Sequence, residues 1–270
     1  MYRSKDTVIL LDYLINIYLI RIRMKLTKIE PKFIKKHNPR IGLITLASDF
    51  RIEKDFNSVI YGKEIDLYCN RIHCYNPLTN ETLKKMADDI PSVTKDILPD
   101  QKLDCVAYGC TSGTIAVGYE SIFEKVNLVK PDTKVTTPIT SAINALKSLK
   151  IKRLSIFTPY TDEINQSVIN YFKKENIEIN ELSYFDIASD LEIGKVDPQH
   201  VYDTLKKIDL TKSDALFVSC TALPVLSVIA ELEKKISKIV LSSNQTLIWD
   251  TLKEINYKNK VEGFGELFNN

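Results

Sequence analysis

The chain has 270 residues, of which 44% are hydrophobic and 27% are charged. This much apolar sequence can bury the core of one large α/β domain or two small ones, and it excludes a disordered protein. The 37 Lys and Arg nearly balance the 35 Asp and Glu, but the first 39 residues are strongly basic. The remaining residues are therefore slightly acidic, so we expect no nucleic-acid partner.

The five cysteines and three histidines limit the chemistry of the chain. An odd number of widely spaced cysteines is not a disulfide framework, so we expect reduced thiols and a cytoplasmic location. Cys69, His73 and Cys74 form a C-x3-H-C run, but without a second pair of ligands we expect no metal site there. The sequence also has neither a P-loop nor a G-x-G-x-x-G turn after a strand, so we expect no nucleotide cofactor.

The stretch at residues 8–20 is apolar but too short to span a bilayer, so we expect no membrane partner. Arg21 and Arg23 follow where a signal peptide would have small residues. We expect Met24 to be the natural start, with residues 1–23 an over-called leader or a loosely attached helix. A signal peptide or an anchor is the alternative. We predict that residues 1–39 are an extension of the fold.

From Arg40 onward, short apolar strands alternate with amphipathic helices, which is typical of a parallel sheet with crossover helices. The predicted strands are 41–46, 66–74, 104–108, 153–157, 178–185 and 214–218. The predicted helices are 53–60, 80–97, one that ends at Phe123, one that ends at Leu149, 162–174 and 199–208, and residues 187–197 are predicted to be a loop.

Two cysteine turns repeat within this pattern. Cys110 lies in the run Gly109–Thr114 after one apolar strand, and Cys220 lies in Ser219–Ala222 after another. The two cysteines are separated by nearly the same distance along the chain as the strands that open the two halves. We therefore predict an α/β protein of two pseudo-symmetric halves, each a short, mainly parallel sheet flanked by helices. The active site is predicted in the cleft between them, at the carboxyl ends of the strands.

Each cysteine turn is predicted to lead from a strand into a helix. The positive end of a helix favours a thiolate, so the pKa of each thiol is expected to be lowered and each cysteine could act as a base or a nucleophile. The N–H groups and hydroxyls of Thr111, Ser112 and Thr221 would suit a substrate carboxylate. Two thiols on opposite faces of a carbon acid would racemise or isomerise it without a cofactor. An inert buried cysteine is the alternative, and the repetition argues against it.

Three further residues end strands near these turns. Tyr160 could donate a hydrogen bond into the cleft, or it could be a buried structural tyrosine. Ser48 and Asp49 occupy the corresponding turn of the first half, where Asp49 could contact substrate or cap a helix.

Five motifs taken together resemble the aspartate/glutamate racemase superfamily, and within it the branch of maleate cis–trans isomerases, arylmalonate decarboxylases and ectoine-utilisation A proteins. The resemblance covers about residues 40–268. It implies one half built from 40–135 plus 243–270, a second from 136–242, a homo-oligomer, and no metal or organic cofactor. The motifs are Tyr108–Thr114, Thr136–Ala142, Thr158–Glu163, Ser219–Ala222 and Ser242–Gln245.

The resemblance also implies roles for individual residues. Cys110 and Cys220 match the two catalytic cysteines, and Tyr160 matches a ligand of the substrate carboxylate. Asp49 and Asp190 stand where the isomerases have asparagine, and both are candidate substrate contacts. An anion in place of an amide would repel a substrate carboxylate if it points inward, which argues against maleate as the substrate.

We therefore expect a cofactor-independent isomerase or racemase of a small carboxylate that uses two cysteines. The alternatives are an ectoine-utilisation A-type protein, which the residues after each cysteine resemble, an arylmalonate decarboxylase-like lyase, or a non-enzymatic carboxylate-binding protein. Arylmalonate decarboxylases keep only the second cysteine, which argues against the lyase.

Overall fold

The structure is a computed structural model that describes residues 9–16 and 27–269. Residues 38–270 form one compact unit. The described part of residues 1–37 consists of a helix, α1, at 9–16 and an irregular segment at 27–37. The predicted start at Met24 and the flanks of the apolar stretch lie outside the described residues. Within the described part of the chain, no helix has the length and apolar character needed to cross a membrane.

Two four-stranded parallel sheets form the centre of residues 38–270, and they confirm the predicted fold class. Both have the same strand order, β2-β1-β3-β4 in the first and β6-β5-β7-β8 in the second. The strands are β1 (Arg40–Leu46), β2 (Asp66–Ile72), β3 (Cys105–Gly109), β4 (Lys134–Thr136), β5 (Arg153–Thr158), β6 (Glu178–Tyr184), β7 (Ala215–Val218) and β8 (Ile239–Ser242).

Helices connect these strands, and two of the predicted helices are interrupted. The one predicted at 80–97 divides because Pro91 cannot donate a backbone hydrogen bond and opens a new helix. The one predicted to end at Phe123 divides at Gly118, whose φ is 89°. The helices are α2 (Ile52–Ile60), α3 (Asn80–Met86), α4 (Ile90–Lys95), α5 (Thr111–Val117), α6 (Tyr119–Asn127), α7 (Pro138–Ser148), α8 (Asp162–Lys174), α9 (Asp190–Ile193), α10 (Pro198–Leu205), α11 (Ile229–Ile236) and α12 (Ser243–Glu254).

The pattern of the sequence did not predict β4, β8, α11, α12 or the single turn α9. β4 and β8 have three and four residues, too few to show a periodicity of their own. They form only through pairing with another part of the chain, β4 with β3 and β8 with β7. Helix α9 lies in the segment predicted to be a loop, and it carries Asp190 at its first position.

Helix α12 brings the end of the chain back to the first sheet. It starts directly after β8 and packs against α7, β3, β4 and α2. All but two of its residues are buried. This packing supports the predicted division into 40–135 plus 243–270 and 136–242, which stays a prediction.

The core of the second sheet depends on large aromatic side chains. Phe217 of β7 is fully buried, and its ring packs edge-on against that of Phe172 in α8 with centroids 5.4 Å apart. We expect Phe217→Ala to lower the free energy of unfolding by about 3–5 kcal/mol, because it leaves a cavity that the sheet and helix cannot close. Urea unfolding followed by circular dichroism measures the change.

Phe33→Ala is the matched control, because this side chain is 83% exposed. Its effect on the free energy of unfolding should stay within about 0.5 kcal/mol. Equal losses in the two variants would contradict this account of the core.

Candidate active site

Cys110 lies where β3 passes into α5, and it is the N-cap residue of that helix. Its Sγ accepts a hydrogen bond from the backbone N–H of Gly113 at 3.2 Å. A Cβ at position 113 would lie 2.8 Å from this sulfur and 3.0 Å from the Tyr108 hydroxyl, so only glycine allows the close approach. The structure therefore has the predicted strand-to-helix turn at Cys110, with the thiol at the positive end of the helix.

Cys220 has a different local geometry, so the predicted strand-to-helix turn is wrong at this position. No helix follows it directly, and its φ of 96° is in the left-handed region that a non-glycine residue rarely adopts. The surrounding chain must hold this conformation in place, because it is strained. The backbone N–H of Cys220 donates to the Ser243 hydroxyl at 3.0 Å.

The Ser243 hydroxyl connects the two cysteine turns. It accepts a second hydrogen bond, at 2.9 Å, from the hydroxyl of Thr111, the residue after Cys110. A direct contact also joins the turns, because the Thr221 hydroxyl donates to the carbonyl of Gly109 at 3.2 Å. The two turns, far apart in the sequence, are thus fixed against each other at the start of α12.

The loop after β1 contributes two of the predicted residues. Asp49 is buried, and its Oδ1 accepts hydrogen bonds from the N–H groups of Arg51 and Ile52 at 2.7 and 3.1 Å. The Ser48 hydroxyl donates to Oδ2 of Asp190 at 2.6 Å, across from the other half. Asp49 therefore binds the N-terminal turn of α2 as a cap would, while its second oxygen remains available.

Tyr160 and Ser112 complete the set of predicted residues at the site. The Tyr160 ring is buried, and its hydroxyl forms a hydrogen bond with the Cys220 thiol that favours the thiolate. The Ser112 hydroxyl lies 3.9 Å from Sγ of Cys110. The structure thus brings the predicted residues together around two thiols, and their roles in catalysis and binding stay predictions.

Sequence reasoning missed two residues at the site. Ser243 lies within the motif Ser242–Gln245, but only the folded chain places it between the cysteine turns. Cys74 interacts with the Ser48 hydroxyl and lies near Cys110. The sequence had suggested Cys74 only as part of a weak metal-binding motif with Cys69 and His73. Among the described residues, no group of three or more His, Cys, Asp or Glu side chains could hold a metal ion.

The expected lowering of the thiol pKa is not found. Burial raises the pKa of both Cys110 and Cys220 above the ordinary value, and the negative charge of Asp190 contributes in the same direction. The N–H groups of Gly113 and Ala222 act in the opposite direction but are outweighed. Both cysteines are accordingly neutral thiols at pH 7.

The pKa values of the nearby carboxyl groups are also raised. Burial raises the pKa of Asp190 to about 6, with a further contribution from the charge of Asp49. Burial also raises the pKa of Asp49 and brings that of Asp55 to about 7. The site therefore holds protons that an exposed set of the same side chains would release.

Comparisons with known proteins all find the same family. The family model for arylmalonate decarboxylase matches residues 78–268. Maleate isomerase from Geobacillus stearothermophilus is 26% identical over 243 residues, which cover 84% of this chain and 96% of that protein. Arylmalonate decarboxylase from Bordetella bronchiseptica is 26% identical over 136 residues, or 49% of this chain and 57% of that protein.

Solved structures show the same fold. The maleate isomerase from Pseudomonas putida superposes with a TM-score of 0.78 at 21% identity, over 85% of this chain and 98% of that one. A variant of the maleate cis–trans isomerase from Nocardia farcinica, with a covalently bound succinylcysteine intermediate, also superposes with a TM-score of 0.78. Its sequence identity is 20%, and the match covers 85% of this chain and 98% of that one. Since the family model covers most of its length, this chain belongs to the arylmalonate decarboxylase family, in the branch of the aspartate/glutamate racemase superfamily that includes the maleate isomerases.

Proposed function

We propose that this protein is a cofactor-independent cis–trans isomerase of a small unsaturated dicarboxylate, with maleate as the first candidate. The observation that carries the proposal is the pair of thiols, supplied by equivalent turns of the two halves and fixed together through Ser243. The maleate isomerases among the relatives support the same reaction.

Cys110 is the better placed of the two thiols to act as the nucleophile. It caps α5, so the helix dipole and the Gly113 N–H stabilise its thiolate once its proton has passed to the ionised carboxylate of Asp190, whose charge acts on this thiol. The same proton returns to Cys110 when the product leaves. The thiolate forms a bond to one alkene carbon, and the electron pair of the double bond moves to the adjacent carbon. That negative charge is shared with the neighbouring carboxylate.

Cys220 then acts as the acid and the base. It donates its proton to the adjacent carbon, which gives a saturated adduct whose central bond can rotate. After rotation, the Cys220 thiolate removes a proton from the same carbon, the double bond re-forms in the trans geometry, and the Cys110 thiolate leaves. Tyr160 assists, because its hydrogen bond to Cys220 stabilises the thiolate between the two proton transfers.

The donors that surround the thiols suit the substrate carboxylates. Thr111, Ser112 and Thr221 each carry a buried hydroxyl, and the start of α5 supplies backbone N–H groups. We assign these residues, with Ser48, Asp49, Tyr160 and Asp190, to substrate binding. We further propose that the enzyme works in the cytoplasm, where both thiols stay reduced, and that it is a homo-oligomer.

The proposal is tested by incubating the protein in D2O separately with maleate, aspartate, glutamate, an arylmalonate and ectoine-pathway acids, and following each by NMR. We expect conversion of maleate into fumarate. Deuterium at the α-carbon of an amino acid without alkene isomerisation would instead indicate a racemase, and loss of CO2 from the arylmalonate a lyase. Turnover of an ectoine-pathway acid alone would indicate an ectoine-utilisation A-type protein. Binding without any turnover would indicate a non-enzymatic carboxylate-binding protein.

Substitution of the two cysteines should lower the rate of isomerisation to different extents, measured by steady-state kinetics. Cys110→Ala removes the nucleophile, so we expect no measurable isomerisation. Cys220→Ala removes the proton donor and should lower kcat by about 10²- to 10⁴-fold. Cys69→Ser, at an exposed cysteine, is the control and should keep wild-type rates. Full activity of Cys220→Ala would refute the two-thiol mechanism.

Ser243 is a positioning residue in this scheme. Ser243→Ala removes the acceptor of both the Cys220 N–H and the Thr111 hydroxyl, and a buried unpaired donor costs about 1–3 kcal/mol. We expect a loss of stability in that range and a fall in kcat larger than the change in KM, measured by urea unfolding and steady-state kinetics. Ser92→Ala, at an exposed helix position, is the matched control. A loss of stability with unchanged kcat would assign Ser243 a purely structural role.

A further inference from the structure

The two carboxylate oxygens of Asp49 have different surroundings. Oδ1 accepts the N–H groups of Arg51 and Ile52, whereas Oδ2 is buried and lacks a well-formed hydrogen bond among the described residues. The Thr221 hydroxyl interacts with this carboxyl group, but it donates its proton to the carbonyl of Gly109. An unpaired buried oxygen costs free energy, so its retention calls for an explanation. The charge of Asp49 acts on both the Cys74 and the Cys220 thiols, so this carboxyl lies at the site and not elsewhere in the core.

Within the part of the chain that the structure describes, no cation forms an ion pair with this carboxyl group. The Arg71 guanidinium donates to the backbone carbonyls of Leu46 and Asp49 and forms an ion pair with Glu53 at 3.0 Å. The Arg51 guanidinium donates to the carbonyl of Gly194. Both positive groups are thus used for main-chain contacts, although the charge of Arg71 lowers the pKa of Asp49 to some extent.

Two more carboxyl groups and several polar side chains face Asp49 from the elements packed around it. Asp55 of α2 is bound by the side-chain amide of Asn244 at 2.7 Å, and Asp190 of α9 by the Ser48 hydroxyl. The Thr221 hydroxyl from the second cysteine turn and the Cys74 thiol lie on the remaining sides.

Buried carboxylates that repel one another do not all ionise together. Burial is the largest cause of the raised pKa of Asp49, Asp190 and Asp55, and the charge of Asp49 raises the pKa of Asp190 and Asp55 further. Oδ1 of Asp49 is occupied by donors, so a proton on this residue must be on Oδ2. There it becomes a hydrogen-bond donor beside the Thr221 hydroxyl and the Cys220 thiol, in the way that a carboxylic acid kept neutral by its surroundings can serve an enzyme.

We propose that Asp49 and one carboxylate of the substrate share a single proton, held on Oδ2 of Asp49, so that the site binds a dicarboxylate together with one proton. The proposal rests on the proposed function and specifies how that site recognises its substrate. The proton can be assigned to Asp49, with the substrate as a dianion, or to the substrate, with Asp49 ionised. Both assignments describe the same complex, because the number of protons is the same. The half-amide of the same cis acid needs no such proton, because its own N–H can donate to ionised Asp49.

The test is the pH dependence of KM for maleate and for its half-amide, maleamate, between pH 6 and 9. KM for maleate should rise as pH increases, approaching tenfold per pH unit once both groups have lost their protons, because one proton must be taken up for binding. KM for maleamate should change little over the same range. A flat KM for maleate in an active wild-type enzyme would overturn the proposal.

Asp49→Asn provides the decisive variant, because its amide supplies a permanent donor and its oxygen still accepts from Arg51 and Ile52. Its KM for maleate should lose the pH dependence and fall below that of the wild type at pH 9, while its KM for maleamate rises. Asp55→Asn is the matched control. It removes a neighbouring carboxyl and keeps the oxygen bound by Asn244, so the tenfold slope should remain. A large rise of KM for maleate in Asp49→Asn at every pH would show that Asp49 acts as an anion.

A binding measurement separates this proposal from the proposed function. Titration calorimetry of maleate into the inactive Cys110→Ala protein, in buffers of different ionisation enthalpy, should show proton uptake that rises towards one per site as the pH increases from 6 to 9, in step with the slope of KM. The same titration with Asp49→Asn in that background should show none. Absence of turnover by the wild type with proton uptake intact would refute the isomerase, and turnover without proton uptake would refute the shared proton.

Discussion

The site depends on one buried hydroxyl, that of Ser243. It accepts hydrogen bonds from the Thr111 side chain and the Cys220 backbone, at 2.9 and 3.0 Å, so it fixes the spacing of two turns that belong to different sheets. It also helps to hold Cys220 in a left-handed conformation that the residue would not adopt alone. Helix α12 delivers this serine, and its burial against the first sheet makes the position rigid.

The electrostatics of the site result from a competition between burial and local dipoles. A helix terminus stabilises a nearby charge by about 0.3–1 kcal/mol when exposed and up to about 2 kcal/mol when partly buried. The raised pKa of Cys110 shows that desolvation exceeds this contribution. In the proposed mechanism the thiolate therefore has to form after the substrate has bound. Burial raises the pKa of the neighbouring Asp49 and Asp190 for the same reason.

The sequence was informative wherever a feature extended over several residues. Long apolar strands such as β1 and β5 were predicted nearly to the residue, and the repeated cysteine turns predicted two halves that meet at a shared site. β4 and β8 were not predicted, because strands of three or four residues are defined by their partners and not by their own pattern. Pro91 and Gly118 were visible in the sequence, yet only the structure shows that they divide the helices.

The amino-acid sequence by itself determined the fold class and the duplication, and it predicted the two thiols, because these follow from periodicity and from motifs of contiguous residues. The tertiary structure alone decided what surrounds those thiols. It brought Ser243 between the turns, Cys74 near Cys110, and the carboxyl groups of Asp49 and Asp190 into the same buried site. The physical reason is that burial and hydrogen-bond partners, which set the charge state of the site, come from segments that are far apart along the chain.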